Sequence, residues 1–176
     1  LASGAVNLTA AVTVGNLGAL GPGLRGSVAS TVKISGAPNS AVLTLDSTAR
    51  GLAVGQAEAD KLLAGETRAA LGLSLHDGAL FVDKATVTNP QLSVQADGTL
   101  RGNEQTISVK AQLNNLGLLL ADFPGVLNIS GTLVQTASGT QVDMRGTGPG
   151  QIDARVKGRL ARGLGSADLT GSGTSQ

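Results

Sequence analysis

Few residues of this chain match a motif for catalysis or ligand binding. Residues 21–26, Gly-Pro-Gly-Leu-Arg-Gly, have the spacing G-x-G-x-x-G of a dinucleotide phosphate loop. Such a loop must lead from a strand into a helix whose N-terminus contacts the pyrophosphate. Residues 27–34 alternate like a strand instead, so we predict a turn here. For residues 146–150, Gly-Thr-Gly-Pro-Gly, we likewise expect a hairpin bend and not a phosphate cradle.

His76 and Asp77 are the neighbouring pair that suggests acid–base catalysis. Adjacent residues of a strand point to opposite faces, and a catalytic triad also needs a nucleophile, which is not identifiable nearby. We therefore interpret His76 as a solvated turn residue. Asp122 and Asp143 have no partners at metal-ligand spacing, and the absence of Cys excludes thiolate ligands and Cys nucleophiles. The sequence predicts a protein that is not an enzyme, with no catalytic residues, no metal and no cofactor.

Charge and aromatic content argue against a nucleic-acid partner. The chain has 13 Lys and Arg, 12 Asp and Glu, and a formal net charge of +1, which leaves no broad basic surface for phosphates. Phe81 and Phe123, its only Phe, Tyr or Trp residues, are too few for a base-stacking platform. A basic cluster comprises Arg155, Lys157, Arg159 and Arg162. We interpret it as a solvated face or protection of an edge strand; the alternative is a rim that contacts lipid phosphates.

Alternation of aliphatic and polar residues is the main pattern along the chain. From Val6 to Val14, aliphatic residues occupy the even positions and mostly polar residues the odd ones, as in a strand with one apolar face. Turn residues such as Asp77-Gly78 and Asp97-Gly98 separate the runs. Because short connections join antiparallel neighbours, we predict an all-β fold with a mostly antiparallel sheet. The positions predicted to line its apolar face are Val6, Leu8, Val12, Val14, Val32, Ile34, Leu43, Leu45, Leu71, Leu73, Leu75, Leu92, Val94, Leu100, Ile107, Val109, Leu113, Leu127, Ile129, Leu133, Ile152 and Val156.

Two short segments break the alternation. Residues 56–65, Gln-Ala-Glu-Ala-Asp-Lys-Leu-Leu-Ala-Gly, place acidic residues first, Lys and two Leu later and Gly last. This order is typical of a short amphipathic helix that ends at a glycine. Residues 116–121 are rich in Leu, and we expect a shorter helical or 3₁₀ turn there. That apolar run is far short of the ~20 residues that span a bilayer.

An internal repeat relates distant parts of the chain. Residues 12–20 and 111–119 each read as a strand that ends in Asn-Leu-Gly, and the copies are 99 residues apart at Asn16 and Asn115. Each copy continues through a Pro-Gly pair into a strand that closes on Ile-Ser-Gly. We predict a long, degenerate β repeat of which the chain holds fewer than two copies. Repeated units of this kind form extended arrays with short-range contacts.

The predicted apolar face needs a cover, because no helical layer is predicted over the sheet. A second sheet, the opposite wall of a curled sheet and a foreign apolar ligand could each supply one. The face is mostly Leu, Val, Ala and Ile and has almost no aromatic residues, whereas aromatic residues carry much of the burial in ordinary small cores. A smooth aliphatic lining suits flexible hydrocarbon chains. The alternative, a dry sandwich core, stays open at this point.

The order of these motifs resembles the C-terminal part of the TamB family, the translocation and assembly module proteins related to AsmA-like and repeating β-groove proteins. The resemblance rests on Asn-Leu-Gly-x-Leu, Pro-Gly and Ser-Gly-Thr-Leu at residues 130–133, on Ala-Asp-Lys-Leu-Leu-Ala-Gly-Glu at 59–66, and on the block from Gly78 to Gly102. It covers most of the chain and is best from Leu52 to Leu133. These motifs mark turns and strand ends and contain no catalytic signature.

The resemblance implies a curled sheet that is taco-like in section, with a continuous hydrophobic groove in which phospholipid acyl chains lie. Residues 1–176 would then be a single segment of a repeating β-groove array, excised from a much larger protein. That protein would be anchored in the inner membrane and would extend through the periplasm of a Gram-negative bacterium. It would move phospholipids between the two membranes and support outer-membrane protein assembly with a TamA-like outer-membrane barrel.

Two other functions are compatible with the same sequence. In the first, an open strand edge pairs with a nascent outer-membrane β-barrel strand by β-augmentation, which would make the protein an assembly chaperone. In the second, the chain is a structural surface repeat such as part of an adhesin. The adhesin interpretation predicts regular short repeats and a dry core, and the degenerate repeat and the mid-chain helix argue against it.

Overall fold

The computed structural model describes residues 4–37, 39–102, 104–137, 139–160 and 167–174. They form an all-β fold in which one open, curled, antiparallel sheet holds eleven strands in chain order. This confirms the predicted fold class. The strands are β1 (Val6–Val14), β2 (Arg25–Ala37), β3 (Ser40–Ala53), β4 (Glu66–His76), β5 (Ala79–Thr88), β6 (Leu92–Arg101), β7 (Glu104–Leu113), β8 (Leu127–Thr136), β9 (Gly139–Gly148), β10 (Ile152–Leu160) and β11 (Ala167–Thr174).

The register of the strands follows from the alternation. Leu8 pairs with Ile34, and Ile34 pairs in turn with Leu43 on the next strand. Paired residues of an antiparallel ladder project to the same face, so aliphatic side chains meet aliphatic side chains from strand to strand. A slip of one residue would move a whole apolar set to the polar face, which is why this pattern fixes one register.

Strand β5 does not follow simple alternation, and the reason is a β-bulge. Val82 lies opposite Gly98 of β6, but the next pair on that face joins Ala85 to Ala96. One strand therefore has one extra residue, and its apolar positions change from even to odd numbers. The period-two prediction missed β5 for this reason. It also missed β9 and β11, whose positions on the apolar face include several glycines.

The predicted helix is present but shorter than expected. It comprises α1, Ala57–Leu62, whereas the sequence predicted residues 56–65. The backbone N–H of Val54 donates to the Asp60 carboxylate over 2.6 Å, which ties the end of β3 to the helix. Gly65 has φ +98°, a left-handed conformation that favours glycine and turns the chain into β4. The predicted turn in residues 116–121 is a 3₁₀ turn at Leu116–Leu118.

The two copies of the repeat have the same local structure at their loops. Asn16 and Asn115 have nearly the same backbone dihedral angles, φ −145° and ψ 105° against φ −148° and ψ 104°. Each precedes a 3₁₀ turn, Leu17–Ala19 or Leu116–Leu118, and each side chain accepts from the N–H two residues ahead. The residue pairs before the loops also correspond, Val14 with Val28 and Leu113 with Leu127.

The predicted closing motif of the repeat is wrong. Ile34 pairs with Leu8, whereas Ile129 pairs with Ala111, so the two Ile-Ser-Gly segments occupy different positions in their strands. Strand β8 also continues beyond Gly131 to Thr136. The residue of β8 that corresponds to Ile34 is Leu133, which pairs with Ile107. The shared unit is therefore the loop and the strand ends beside it.

The sheet has no second layer among the described residues. Close contacts join neighbouring strands, α1 with β3, the first 3₁₀ turn with β2, and α1 with the second 3₁₀ turn. The apolar residues that are buried are small or lie in a loop, namely Ala49, Ala79 and Leu116. A dry core between two sheets, one of the covers that the sequence left open, is therefore wrong for this part of the chain.

Candidate functional site

The structure brings all the predicted apolar positions to one face of the sheet. The ladder links them directly: Leu45 pairs with Leu71, Leu92 with Leu113, and Met144 with Val156. We call this surface the apolar face. Its composition was predicted from alternation, and its binding of a ligand stays a prediction.

Further members of the apolar face follow only from the pairing, because they lie on β5 and β9, which alternation missed. The cross-strand partners place on this face Leu80, Val82, Ala85, Val87, Val142 and Met144. Small residues from the alternating runs separate the larger aliphatic ones, among them Ala10, Val28, Ala69, Ala96, Ala111 and Ala154. The bulge itself gives no signal in alternation, and only the register of β4 and β6 locates it.

Most side chains of the apolar face are half-buried by their neighbours in the same sheet. Leu43, Leu73 and Val109 are examples from its central strands. At the β1 end the face is more open, since Val6, Leu8 and Val12 are 51%, 54% and 56% exposed. None of the described large side chains is completely buried. The apolar face is therefore a single layer whose outer surface is available to another molecule.

Two glycines of the apolar face lie very close to the backbone of a neighbouring strand. A β-carbon on Gly98 would overlap the Thr106 carbonyl of β7 and lie 3.0 Å from the Ile107 Cα. A β-carbon on Gly131 would overlap the Asp143 carbonyl of β9. Glycine in a strand often marks such a close approach of two backbones.

Three hydroxyl-bearing residues of the apolar face have hydrogen-bond partners within the protein. The Ser30 and Ser47 hydroxyls are 2.7 Å apart and half-buried, on positions where the ladder places them opposite each other. Thr67 is buried, and its hydroxyl accepts from the Asn89 side chain over 3.4 Å. Because these groups satisfy one another, they interrupt the apolar face at little cost.

One end of the sheet, which we call the loop end, carries the longer connections. These are residues 15–24, 54–65, 89–91, 114–126 and 149–151. They contact each other in series: the Asn89 side chain donates to the Leu62 carbonyl and the Asn114 side chain to the Pro90 carbonyl, each over 2.8 Å. Leu20, at 69%, and Phe123, at 41%, are exposed there. The opposite end has tight hairpins such as Asp77-Gly78.

The opposite surface, the polar face, carries the charged residues of the central and C-terminal strands. Asp143 accepts from Arg155 and also pairs with Lys157 at 3.1 Å, and Arg145 forks onto Asp153. The Arg155 hydrogen bond lowers the pKa of Asp143, and the Arg145 hydrogen bond lowers the pKa of Asp153. Sequence spacing missed these pairs because their members lie on neighbouring strands.

The basic cluster is therefore partly neutralised. Arg155 and Lys157 pair with Asp143, while Arg159 is exposed on the same polar face. This placement confirms the predicted solvated face; contact with lipid phosphates stays a prediction. Arg162 lies outside the described residues.

A second ion-pair group joins β3 to the start of β4. Glu66 accepts from Arg50 and Arg68, and the hydrogen bond from Arg50, followed by that from Arg68, lowers the pKa of Glu66. Next to Arg68, a shallow depression is lined largely by hydroxyl-bearing residues, including Thr13, Thr31 and Thr88. Most of its lining residues lie on the polar face, and Ser30, Ser47 and Ala69 of the apolar face also contribute to it. This hydroxyl-rich lining does not resemble an acyl-chain site.

The motifs that suggested chemistry lie in turns and at strand ends. Residues 21–26 form a turn that enters β2, with Gly23 and Gly26 at positive φ, which confirms the prediction. The bend expected at 146–150 lies slightly later, at 149–151, because β9 continues to Gly148. His76 is exposed at the end of β4, with its ring 6.1 Å from that of Phe81.

Within the described ranges, no group of three or more His, Cys, Asp or Glu is arranged to hold a metal ion. No helix among the same residues is long and apolar enough to cross a membrane. Comparisons with family models, with curated proteins and with solved structures found no match.

Proposed function

We propose that this chain is a lipid-conduit segment, with phospholipid acyl chains lying on its apolar face. In this proposal it belongs to the periplasmic part of a TamB-like protein that is anchored in the inner membrane. The whole protein moves phospholipids between the inner and outer membranes and supports outer-membrane protein assembly with a TamA-like barrel. The segment is not an enzyme and needs no cofactor.

The continuous, one-layered apolar face carries this proposal. Aliphatic positions follow one another through the ladder from Val6 on β1 to Val156 on β10, and no second sheet covers them in the described part of the chain. Contiguous exposed apolar surface on a monomer often marks a site for another molecule. A binding partner that is itself apolar fits this surface best.

The chemistry of the face favours hydrocarbon over a folded protein partner. Its Leu, Val, Ile and Ala side chains offer no directional hydrogen bonds, and its serines at 30 and 47 bond each other. An acyl chain needs no directional partner and gains ~0.8 kcal/mol for each CH₂ that it buries. Eleven strands at ~4.8 Å spacing give a face about 48 Å long, so a longer array is needed to bridge an envelope.

Native mass spectrometry of the purified chain tests the proposal. We expect co-purifying phospholipid on the wild type and its loss in Val94→Asp, because an aspartate on the apolar face has to lose hydration when an acyl chain lies beside it. The matched control is Gln95→Asp. Gln95 is the exposed neighbour on the polar face and pairs with Lys110, so a carboxylate is tolerated there.

The result that overturns the proposal is a wild type that carries no lipid, or two variants that retain the same amount as the wild type. Circular dichroism establishes that both variants keep their strands. In cells, Leu73→Asp in the whole protein should weaken the outer-membrane barrier. A normal barrier with this variant counts against the conduit function.

An assembly chaperone is the second candidate, and the open edge of the sheet favours it. Crosslinking from β1 to an unfolded outer-membrane barrel protein is the measurement that separates the two functions. A chaperone binds strands through backbone hydrogen bonds, so Val94→Asp would leave the crosslink unchanged.

A further inference from the structure

The loop between β7 and β8, residues 114–126, presents large apolar side chains to solvent. Leu119, Leu120, Phe123 and Val126 are between 39% and 54% exposed. The loop contains a single charged residue, Asp122. Large apolar side chains that are exposed together on one loop mark a site for another molecule better than the same side chains scattered singly.

Segments of the same chain lie on both flanks of this loop. On one flank, the Asn114 backbone N–H donates to the Gln91 carbonyl and the Asn114 side chain donates to the Pro90 carbonyl, each over 2.8 Å. On the other flank, a β-carbon on Gly125 would lie 3.0 Å from the Pro149 side chain. The exposed side chains are therefore those that neither neighbouring loop covers.

The backbone of the loop is largely closed on itself. The N–H groups of residues 116, 118, 119, 120 and 123 donate to carbonyls of the same loop. Those of Gly117 and Gly125 donate to the Asn115 side chain, and Pro124 has no N–H. An apolar environment requires backbone N–H groups to be paired within the protein, and this loop meets that requirement over most of its length.

We infer that residues 119–126 insert into the surface of a phospholipid bilayer. Leu120 and Phe123 gain free energy when they leave water, and hydrocarbon demands no directional contact from them. A partner that recognises backbone, such as an added strand, would find few free N–H groups here. The Asp122 carboxylate keeps the insertion shallow, because a charge is costly in the hydrocarbon core.

Insertion at this loop would bring one end of the apolar face to the bilayer. The loop joins the ends of β7 and β8, where Leu113 pairs with Leu127 on that face. The contact itself does not rest on the proposed function, since it requires no lipid on the apolar face.

A single tryptophan tests the insertion, because the chain has no Trp. With vesicles of phosphatidylcholine that carries brominated acyl chains, Phe123→Trp should show quenched emission. The matched control is Val42→Trp. Val42 is 38% exposed against 41% for Phe123, but it lies on the polar face, where it pairs with Ser35 and Ser74. Its emission should not change.

Vesicle flotation measures the strength of the contact. Leu120→Glu should weaken partitioning into phosphatidylcholine vesicles by about tenfold or more, because a carboxylate replaces an inserted aliphatic side chain. Val42→Glu should leave partitioning unchanged, and circular dichroism establishes that both variants keep their strands. Because the contact is apolar, the wild type should stay bound at high salt.

Three results overturn the inference. The first is a wild type that does not float with the vesicles at any lipid concentration. The second is binding that requires anionic phosphatidylglycerol and is lost at high salt, since the basic polar face would then be the contact. The third is quenching of a Val12→Trp reporter with none at position 123, since the apolar face would then lie on the bilayer.

The proposed function is tested separately by the lipid that co-purifies with the chain. A chain that inserts but carries no phospholipid retains this inference and overturns the conduit. A chain that carries phospholipid and does not bind vesicles overturns this inference and leaves the conduit in place.

Discussion

Replacing glycines on the apolar face by alanine tests how closely neighbouring strands approach these positions. Gly131 on β8 and Gly146 on β9 are both half-buried, both lie on the apolar face, and neither has positive φ. Alanine is therefore conformationally allowed at both positions. The difference lies in the space available. A β-carbon at 131 would be 2.5 Å from the Met144 Sδ and 2.8 Å from its Cα, whereas a β-carbon at 146 has its nearest neighbour, the Asn128 carbonyl, at 3.8 Å.

The expected magnitudes follow from these distances. Gly131→Ala forces the backbone of β9 to move, and overpacking of this kind costs about 1–3 kcal/mol. Removing a glycine from a strand recovers about 0.5–1 kcal/mol of conformational entropy, so the net destabilisation is about 1–2 kcal/mol. Gly146→Ala has the same entropic gain without the clash, so it should be neutral or stabilising by up to about 1 kcal/mol.

Urea unfolding followed by circular dichroism measures both variants. The two free energies of unfolding should differ by about 2 kcal/mol, which corresponds to about 1 M in midpoint at a typical dependence on urea. Gly98→Ala should behave like Gly131→Ala, because its β-carbon meets the Thr106 carbonyl. Equal midpoints for the variants at 131 and 146 would refute the close approach of β9 to Gly131.

Three further predictions concern the loops and the polar face. Asn115→Ala should lower the unfolding free energy by about 1–2 kcal/mol. The loss should exceed that of Asn16→Ala, because the Asn115 side chain accepts from two backbone N–H groups and the Asn16 side chain from one. Equal urea midpoints for the two variants contradict this prediction. Gly65→Ala should destabilise the folded protein by more than about 1 kcal/mol, because φ at this residue is +98° and a β-carbon would lie 2.8 Å from the Pro90 ring. Thermal melting of the variant and the wild type tests this prediction. The hydrogen bond from Arg155 lowers the pKa of Asp143 in the folded protein below its ordinary 3.8. The wild type should therefore be more stable than Asp143→Asn above pH 3.8, and this advantage should disappear as the pH falls through the pKa of the folded state. A difference in stability that does not change with pH contradicts this prediction.

Much of the fold could be predicted because the alternation is strong. Val6 to Val14 or Ile107 to Leu113 can bury one face only as strands, and the turn residues between such runs require antiparallel neighbours. The Asn-Leu-Gly loops were also predictable, because an Asn side chain that bonds the backbone two residues ahead is a local interaction.

The remainder depends on contacts between strands. The bulge at Asp83 and Lys84 is fixed by the partners of β5 and not by its own residue types. The pairing of Asp143 with Arg155 needs the register of β9 and β10. The Ile-Ser-Gly sequence recurs at Ile34 and Ile129, yet the two isoleucines lie at different distances from the start of their strands and have different pairing positions. In each case the structure is decided by residues of a neighbouring strand and not by the segment's own residue types.

The order of the strands has a consequence for how the chain folds. Because each strand pairs with its chain neighbours, each pairing can close as a local hairpin, with little loop entropy to overcome. Such low contact order is associated with rapid folding, and growth can start at any hairpin and spread in both directions. Hydrogen exchange and mechanical pulling should therefore detect opening from the ends inward, one strand after another, in place of a single rupture of the whole sheet.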